Sequence, residues 1–166
     1  MHKSPMEERI EELLELIWVL REDGAKGRAE LEARAPEAGE AAPNEVLAEL
    51  LTRGLVESAG PEVRMTAAGE SIAESIVRRN RLAERLLSDV LEVDMETMTE
   101  EACRFEHVLS PGVTRSICTL LGHPLTCPHG RPIPKGECCG TYETALEPIV
   151  MRLVQAFQIM RLGGLA

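Results

Sequence analysis

The chain has 166 residues, enough for one or two small domains with a real core. Its 18 basic and 28 acidic side chains give a net charge of −10, and only 2% of residues are aromatic, so the core must come from Leu, Ile, Val, Met and Ala, which favours helices. No apolar run approaches the roughly 18 residues of a bilayer span, and Glu7 and Glu8 follow residues 1–4 too closely for a secretory apolar region, so a cytoplasmic protein without a membrane partner is expected.

Met6, Ile10, Leu13, Leu14, Ile17 and Leu20 recur at helical spacing and predict a first helix over residues 5–22, closed by Gly24 and Gly27. A second helix over 29–35 stops before Pro36. Pro43 suits the first turn of a third helix running to Arg53, with Gly54 as its stop. Residues 55–58 and 62–66 flank Ala59-Gly60-Pro61 and predict a β-hairpin. Helix, helix, turn, helix and hairpin is the order of a winged helix-turn-helix; a small helical domain with an incidental hairpin fits the same pattern.

A long helix is predicted over 67–91, then helices over 97–109 and 110–121, the last with Pro111 in its first turn. Residues 122–140 form a Gly/Pro/Cys loop, and a broad apolar stripe from Leu146 to Met160 predicts a C-terminal helix over 141–162. That face needs cover from its own domain or a second copy. The fold class expected is mainly α: a winged helix-turn-helix domain over 1–76, then an all-α domain over 77–166. Charge divides along the same line. Residues 1–76 carry 8 basic and 17 acidic groups (8 − 17 = −9), and residues 77–166 carry 10 and 11 (10 − 11 = −1).

Two constellations carry chemistry. Cys103, Glu106 and His107 stand at i, i+3 and i+4 of a predicted helix and leave one face together, a thiolate, carboxylate and imidazole suited to a borderline divalent cation. A buried Cys beside a surface Glu-His pair is the plainer alternative. Cys118, Cys127, Cys138 and Cys139, with His123 and His129 nearby, cluster in and beside the Pro/Gly loop over 118–139. Three or four thiolates converging there would hold Zn²⁺ or an iron–sulfur cluster, with Cys127 and Cys138 the first choices as ligands. The alternative is a set of small buried residues plus one reactive thiol pair. No nucleophile–base motif, phosphate-binding Gly loop or open catalytic zinc signature is present, so a non-enzyme is expected.

Arg81-Leu82-Ala83-Glu84-Arg85-Leu86-Leu87-Ser88-Asp89 and Glu101-Ala102-Cys103-Arg104-Phe105-Glu106-His107-Val108-Leu109-Ser110 closely resemble the diphtheria-toxin-repressor (DtxR) family of iron- and manganese-dependent repressors. The resemblance continues into Gly130-Arg131-Pro132-Ile133-Pro134 and, more loosely, back through Met65-Thr66-Ala67-Ala68-Gly69 and Gly54-Leu55-Val56, covering residues 6–135. It implies a winged-helix domain joined to a helical metal-binding and dimerisation domain, working as a homodimer whose affinity for operator DNA is set by divalent metal. A short form without the family's SH3-like domain is expected. Cys103, Glu106 and His107 match ligands of the family's main metal site. Glu12 falls where the family places an N-terminal ligand, and Glu15 matches a further acidic ligand of the manganese branch, with a solvated helix face as the alternative for both. Glu12 leans towards Mn²⁺ and Cys103 towards Fe²⁺, and Fe²⁺ is favoured. Glu84 is retained from the ancillary site, but Asn80 and Thr99 replace its histidines, so that site is expected to be lost or rebuilt.

The recognition helix implied, Pro43-Asn44-Glu45-Val46-Leu47-Ala48-Glu49-Leu50-Leu51-Thr52-Arg53, offers Asn44 as a base reader, with Arg28, Arg34, Arg53 and Arg64 as phosphate contacts. A domain at −9 is repelled by DNA unless those arginines share a face. A metal- or redox-sensing dimer whose acidic winged domain binds a protein partner is therefore the second reading.

Overall fold

The computed structural model describes residues 4–36 and 39–140. The predicted helix over 141–162 lies outside them. The chain divides into two compact units, Met1–Val77 and Arg78–Ala166.

In the first unit, α1 (Pro5–Glu22) opens on a reciprocal cap. The Glu7 amide donates to Ser4 Oγ at 3.2 Å, and the Ser4 amide donates to the Glu7 carboxylate at 2.7 Å. Ile10, Leu13, Leu14, Leu16, Ile17 and Leu20 of α1 are buried. They pack with Leu31 of α2 (Arg28–Arg34) and Val46, Leu47 and Leu50 of α3 (Pro43–Thr52). Two antiparallel strands follow, β1 (Val56–Ala59) and β2 (Glu62–Met65), with Val56 opposite Met65 and Ala59 opposite Glu62. Gly60, at φ 63°, supplies the left-handed residue their tight turn requires. The segment before α2 extends this small sheet, because Val63 donates to Lys26 O and Arg28 donates to Pro61 O. This is the winged helix-turn-helix order expected from the sequence.

Helix α4 (Ala67–Asp89) begins in the first unit and ends in the second. Its first turn carries Gly69, where a Cβ would lie 1.9 Å from the carbonyl oxygen of Leu55, so only glycine lets this helix approach the start of the wing.

In the second unit, α5 (Met95–Glu106) is capped by Asp94 and α6 (Pro111–Leu120) by Ser110. The core joins Leu82 and Ala83 of α4, Ala102 of α5, and Ile117, Cys118 and Leu121, with Cys127 and Ile133 from the loop beyond. That loop is rich in proline, which has no N–H to donate. Arginines of α4 supply the donors instead: Arg78 to Pro134 O, Arg81 to Pro132 O, and Arg85 to Thr126 O at 2.7 Å. Arg78 and Arg81 are buried beneath the loop. The described chain then closes in a 3₁₀ turn, Glu137–Cys139.

Candidate metal centres and the recognition surface

The end of α5 gathers the first site. Cys103 lies one turn before Glu106, the last helical residue, and His107 caps the helix. The Cys103 sulfur and a His107 ring nitrogen lie within 4.8 Å of one another. Glu106 is fully buried, with its carboxylate 3.7 Å from His107 Nε2. Arg79 Nε donates to the Glu106 carbonyl at 3.0 Å, fixing the helix end. Burying a carboxylate is costly unless positive charge accompanies it. The Cys103 sulfur and the His107 nitrogen, with the Glu106 carboxylate beside the ring, are donor types that suit a borderline divalent cation.

Glu84, on α4, meets partners that the sequence pattern did not connect to it. His129 Nδ1 lies 3.0 Å from Glu84 Oε1, and Cys127 joins them as a third ligand-bearing group. Glu84 Oε2 is buried and has no hydrogen-bond partner in the structure. A tight turn presents the two loop residues: the Cys127 amide donates to Arg131 O and the Gly130 amide back to Cys127 O, with Gly130 at φ 79°. Burial, reinforced by the Glu84 carboxylate, raises the Cys127 pKa. Thr99 is exposed, with its hydroxyl donating to Met95 O, and the ligand-bearing groups that accompany Glu84 are the loop residues Cys127 and His129.

The expected grouping of Cys118, Cys127, His129, Cys138 and Cys139 needs correction. Cys127 and His129 face Glu84, whereas Cys118, Cys138 and Cys139 converge with His123. Cys127 and Cys138 are therefore in different clusters. The separation follows from the turn over 127–131, which points its residues at α4, while the 3₁₀ turn returns Cys138 and Cys139 to the end of α6. Among the described residues no disulfide joins any cysteine. Burial, only partly offset by Arg78, pushes Cys118 up to about 12. Burial also opposes ionisation of Cys139, but hydrogen bonds with the Gly136 backbone, His123 and Cys118, and the Arg78 guanidinium, bring it down to about 6.

On the first unit the four arginines expected to contact DNA each pair with an acidic neighbour. Arg28 pairs with Glu32 and donates to Asn44 Oδ1 at 2.7 Å. Arg53 pairs with Glu49 at 2.7 Å, Arg64 with Glu62 at 2.7 Å, and Arg34 with Asp23 at 3.6 Å. Arg64 holds the Glu62 carboxyl below its ordinary range.

Residues 66–135 match the model of the iron dependent repressor, metal binding and dimerisation domain. The chain is 37% identical over 123 residues to the iron-dependent repressor IdeR of Mycobacterium tuberculosis and 36% identical over 123 residues to the diphtheria toxin repressor of Corynebacterium diphtheriae. Each match takes in 73% of this chain, with 53% of the former and 54% of the latter, so the chain spans about half the length of these relatives. Among solved structures, a manganese-dependent transcriptional repressor in complex with manganese superposes with a TM-score of 0.69 at 30% identity, covering 77% of this chain and 59% of that one.

Proposed function

This chain belongs to the diphtheria-toxin-repressor family, and on that premise we propose that it is a metal-dependent transcriptional repressor, a homodimer that binds operator DNA. The observation that carries the reading is the approach of the Cys103 sulfur and a His107 ring nitrogen to within 4.8 Å, with the fully buried Glu106 carboxylate 3.7 Å from His107 Nε2. A bound divalent ion supplies the positive charge this donor set calls for. Cys103 and His107 offer it a soft and a borderline donor, and Glu106 supplies the anionic oxygen.

The resemblance adds Glu12 and Glu15 of α1 as further ligands. On this reading the metal-binding residues belong to both units, and loading couples the dimerising unit to the one carrying the recognition helix. A ligand that favours one arrangement shifts the population towards it. Fe²⁺ is the favoured metal on the strength of the Cys103 thiolate, with Mn²⁺ second. In the first unit Asn44 reads a base edge, and Arg28, Arg34, Arg53 and Arg64 contact phosphates after exchanging their carboxylate partners. The relatives, all named as repressors, support DNA over the protein-partner alternative and support a regulator rather than an enzyme.

The test is capture of fragments from the source genome by anaerobically purified protein, with and without Fe²⁺ or Mn²⁺, at near-physiological salt. Metal-dependent enrichment of a palindromic site is expected, lost in Cys103→Ala together with metal affinity. A protein that binds metal and dimerises yet enriches no sequence overturns the DNA reading. Unchanged metal affinity in Cys103→Ala overturns the site assignment.

A further inference from the structure

Cys118, His123, Cys138 and Cys139 stand apart from the regulatory residues, and no step of the proposed function uses them. Cys118 sits in the last turn of α6. His123 follows Gly122 just beyond that helix, and its φ of 57° places a non-glycine residue in the left-handed region. Such a conformation is disfavoured for a residue with a Cβ and persists where its surroundings over-determine it. Here it turns the imidazole back along α6, so that Nδ1 lies 3.4 Å from Cys118 Sγ, while the His123 amide donates to Cys118 O at 2.8 Å. From the other side the 3₁₀ turn delivers Cys139 Sγ to 3.8 Å from Cys118 Sγ. Ligand atoms of all four residues lie within 4.8 Å of one another.

Those separations carry chemical information. Tetrahedral zinc holds sulfur at about 2.3 Å and nitrogen at about 2.0 Å, which puts neighbouring ligands about 3.4–3.8 Å apart. The observed 3.4 and 3.8 Å are edges of that tetrahedron. A multi-iron cluster interposes several atoms between its thiolates and spreads them further than a single ion does. The charge is matched as well. Three thiolates and one divalent cation leave one negative charge, and Arg78 Nη2 donates to Cys138 Sγ at 3.3 Å and to Cys139 Sγ at 3.7 Å. Gly136 is what admits that guanidinium, since a Cβ there would lie 2.8 Å from Arg78 Nε.

We propose that Cys118, His123, Cys138 and Cys139 form a closed Cys₃His structural site for Zn²⁺, with Arg78 as the cation that steadies its thiolates. The ion clamps the turn at Glu137–Cys139 to the end of α6 and fixes the point from which the chain continues beyond Gly140. A soft, four-coordinate thiolate set selects zinc over the harder ions that carboxylates favour.

The full chain, purified anaerobically, stripped with chelator and reloaded with Zn²⁺, tests this by zinc titration against a competing chelator and by X-ray absorption at the zinc edge. One tightly held zinc per chain with three sulfur neighbours and one nitrogen is expected. The sulfur count separates this site from the other two clusters, each of which offers only one thiol. Cys139→Ser should weaken the tight site by at least the roughly 100-fold reached by outer-shell changes, and Arg78→Ala by about 10-fold. His123→Cys keeps four soft ligands and should retain tight zinc with a fourth sulfur in the spectrum. That variant guards against reading a folding defect as ligand loss. One sulfur or none around the tightest zinc, tight zinc retained in Cys139→Ser, or acid-labile sulfide in the anaerobic protein would each overturn the proposal. Loss of DNA binding bears on the regulatory reading and leaves this one standing.

Discussion

The two units solve the problem of a small core in opposite ways. Among the described residues, the first buries an apolar cluster running from Ile10 of α1 to Ile76 of α4, and its one buried charged side chain is Glu40. Several of its other charges form exposed pairs, such as Arg28 with Glu32 and Arg53 with Glu49, each contributing little to stability. The described core of the second contains two thiols, and this unit buries Arg78, Arg79, Arg81, Glu84 and Glu106. Apolar burial needs only the chain itself, whereas buried charge needs a partner of the right sign and distance. On the proposed function, the difference teaches where control by small ions is seated, in the unit that buries charge.

The largest effect should come from the first unit. Leu14→Ala removes a fully buried side chain of α1 and should cost about 3 kcal/mol. Chemical denaturation with and without divalent metal should give the same loss for this transition; a loss that metal erases would break the comparison. In the second unit Arg81→Met keeps the apolar stem but removes the donor to Pro132 O. About 1 kcal/mol is expected for the lost hydrogen bond to a partly buried carbonyl. It should be read as faster hydrogen exchange over residues 125–133, where the Cys127 and Ile133 amides are hydrogen-bonded within the loop. Exchange unchanged there would mean that the loop is held without its arginine.

The smallest effect sharpens the picture of the buried Glu40 carboxylate in the first unit. Arg9 lowers the Glu40 pKa from 4.5, chiefly through the side-chain hydrogen bond, with the Ala42 amide assisting against burial. A depressed folded pKa contributes stability that is present above the unfolded value and lost as pH falls through the folded one. Unfolding free energy measured from pH 6 to pH 3 should therefore fall less steeply in Glu40→Gln than in the native chain. Equal slopes would remove Glu40 from the account.

Much of this architecture was legible in the sequence because its signals are local. The 3.6-residue stripe of α1, Pro43 and Pro111 in first turns, and Gly60 between two short strands each act on their own neighbours. The approach of Cys103 and His107 belongs to the same class, since their i, i+4 spacing brings them onto one side of the helix end. The cysteine loop was not legible in that way. Its division depends on the backbone of His123, on the turn at Gly130, and on Arg78, Arg81 and Arg85 reaching from α4 to carbonyls far along the chain. A left-handed histidine has no compositional signature, and an arginine that feeds a proline-rich loop looks like any surface arginine. Those three positions, evenly stepped along one helix above a Pro/Gly run, are the signal that was present and went unread.

The ion pairs on the first unit have a consequence in time as well as in affinity. On the proposed function, seventeen acidic against eight basic side chains over residues 1–76 would bring this unit to a polyanion against net repulsion, without the steering that speeds most DNA-binding proteins to their targets. Added salt screens that repulsion, so it should quicken the encounter even while it shortens the life of the complex. A regulator built this way searches slowly and samples wrong sequences briefly. Its selectivity then rests on how long it stays rather than on how fast it arrives.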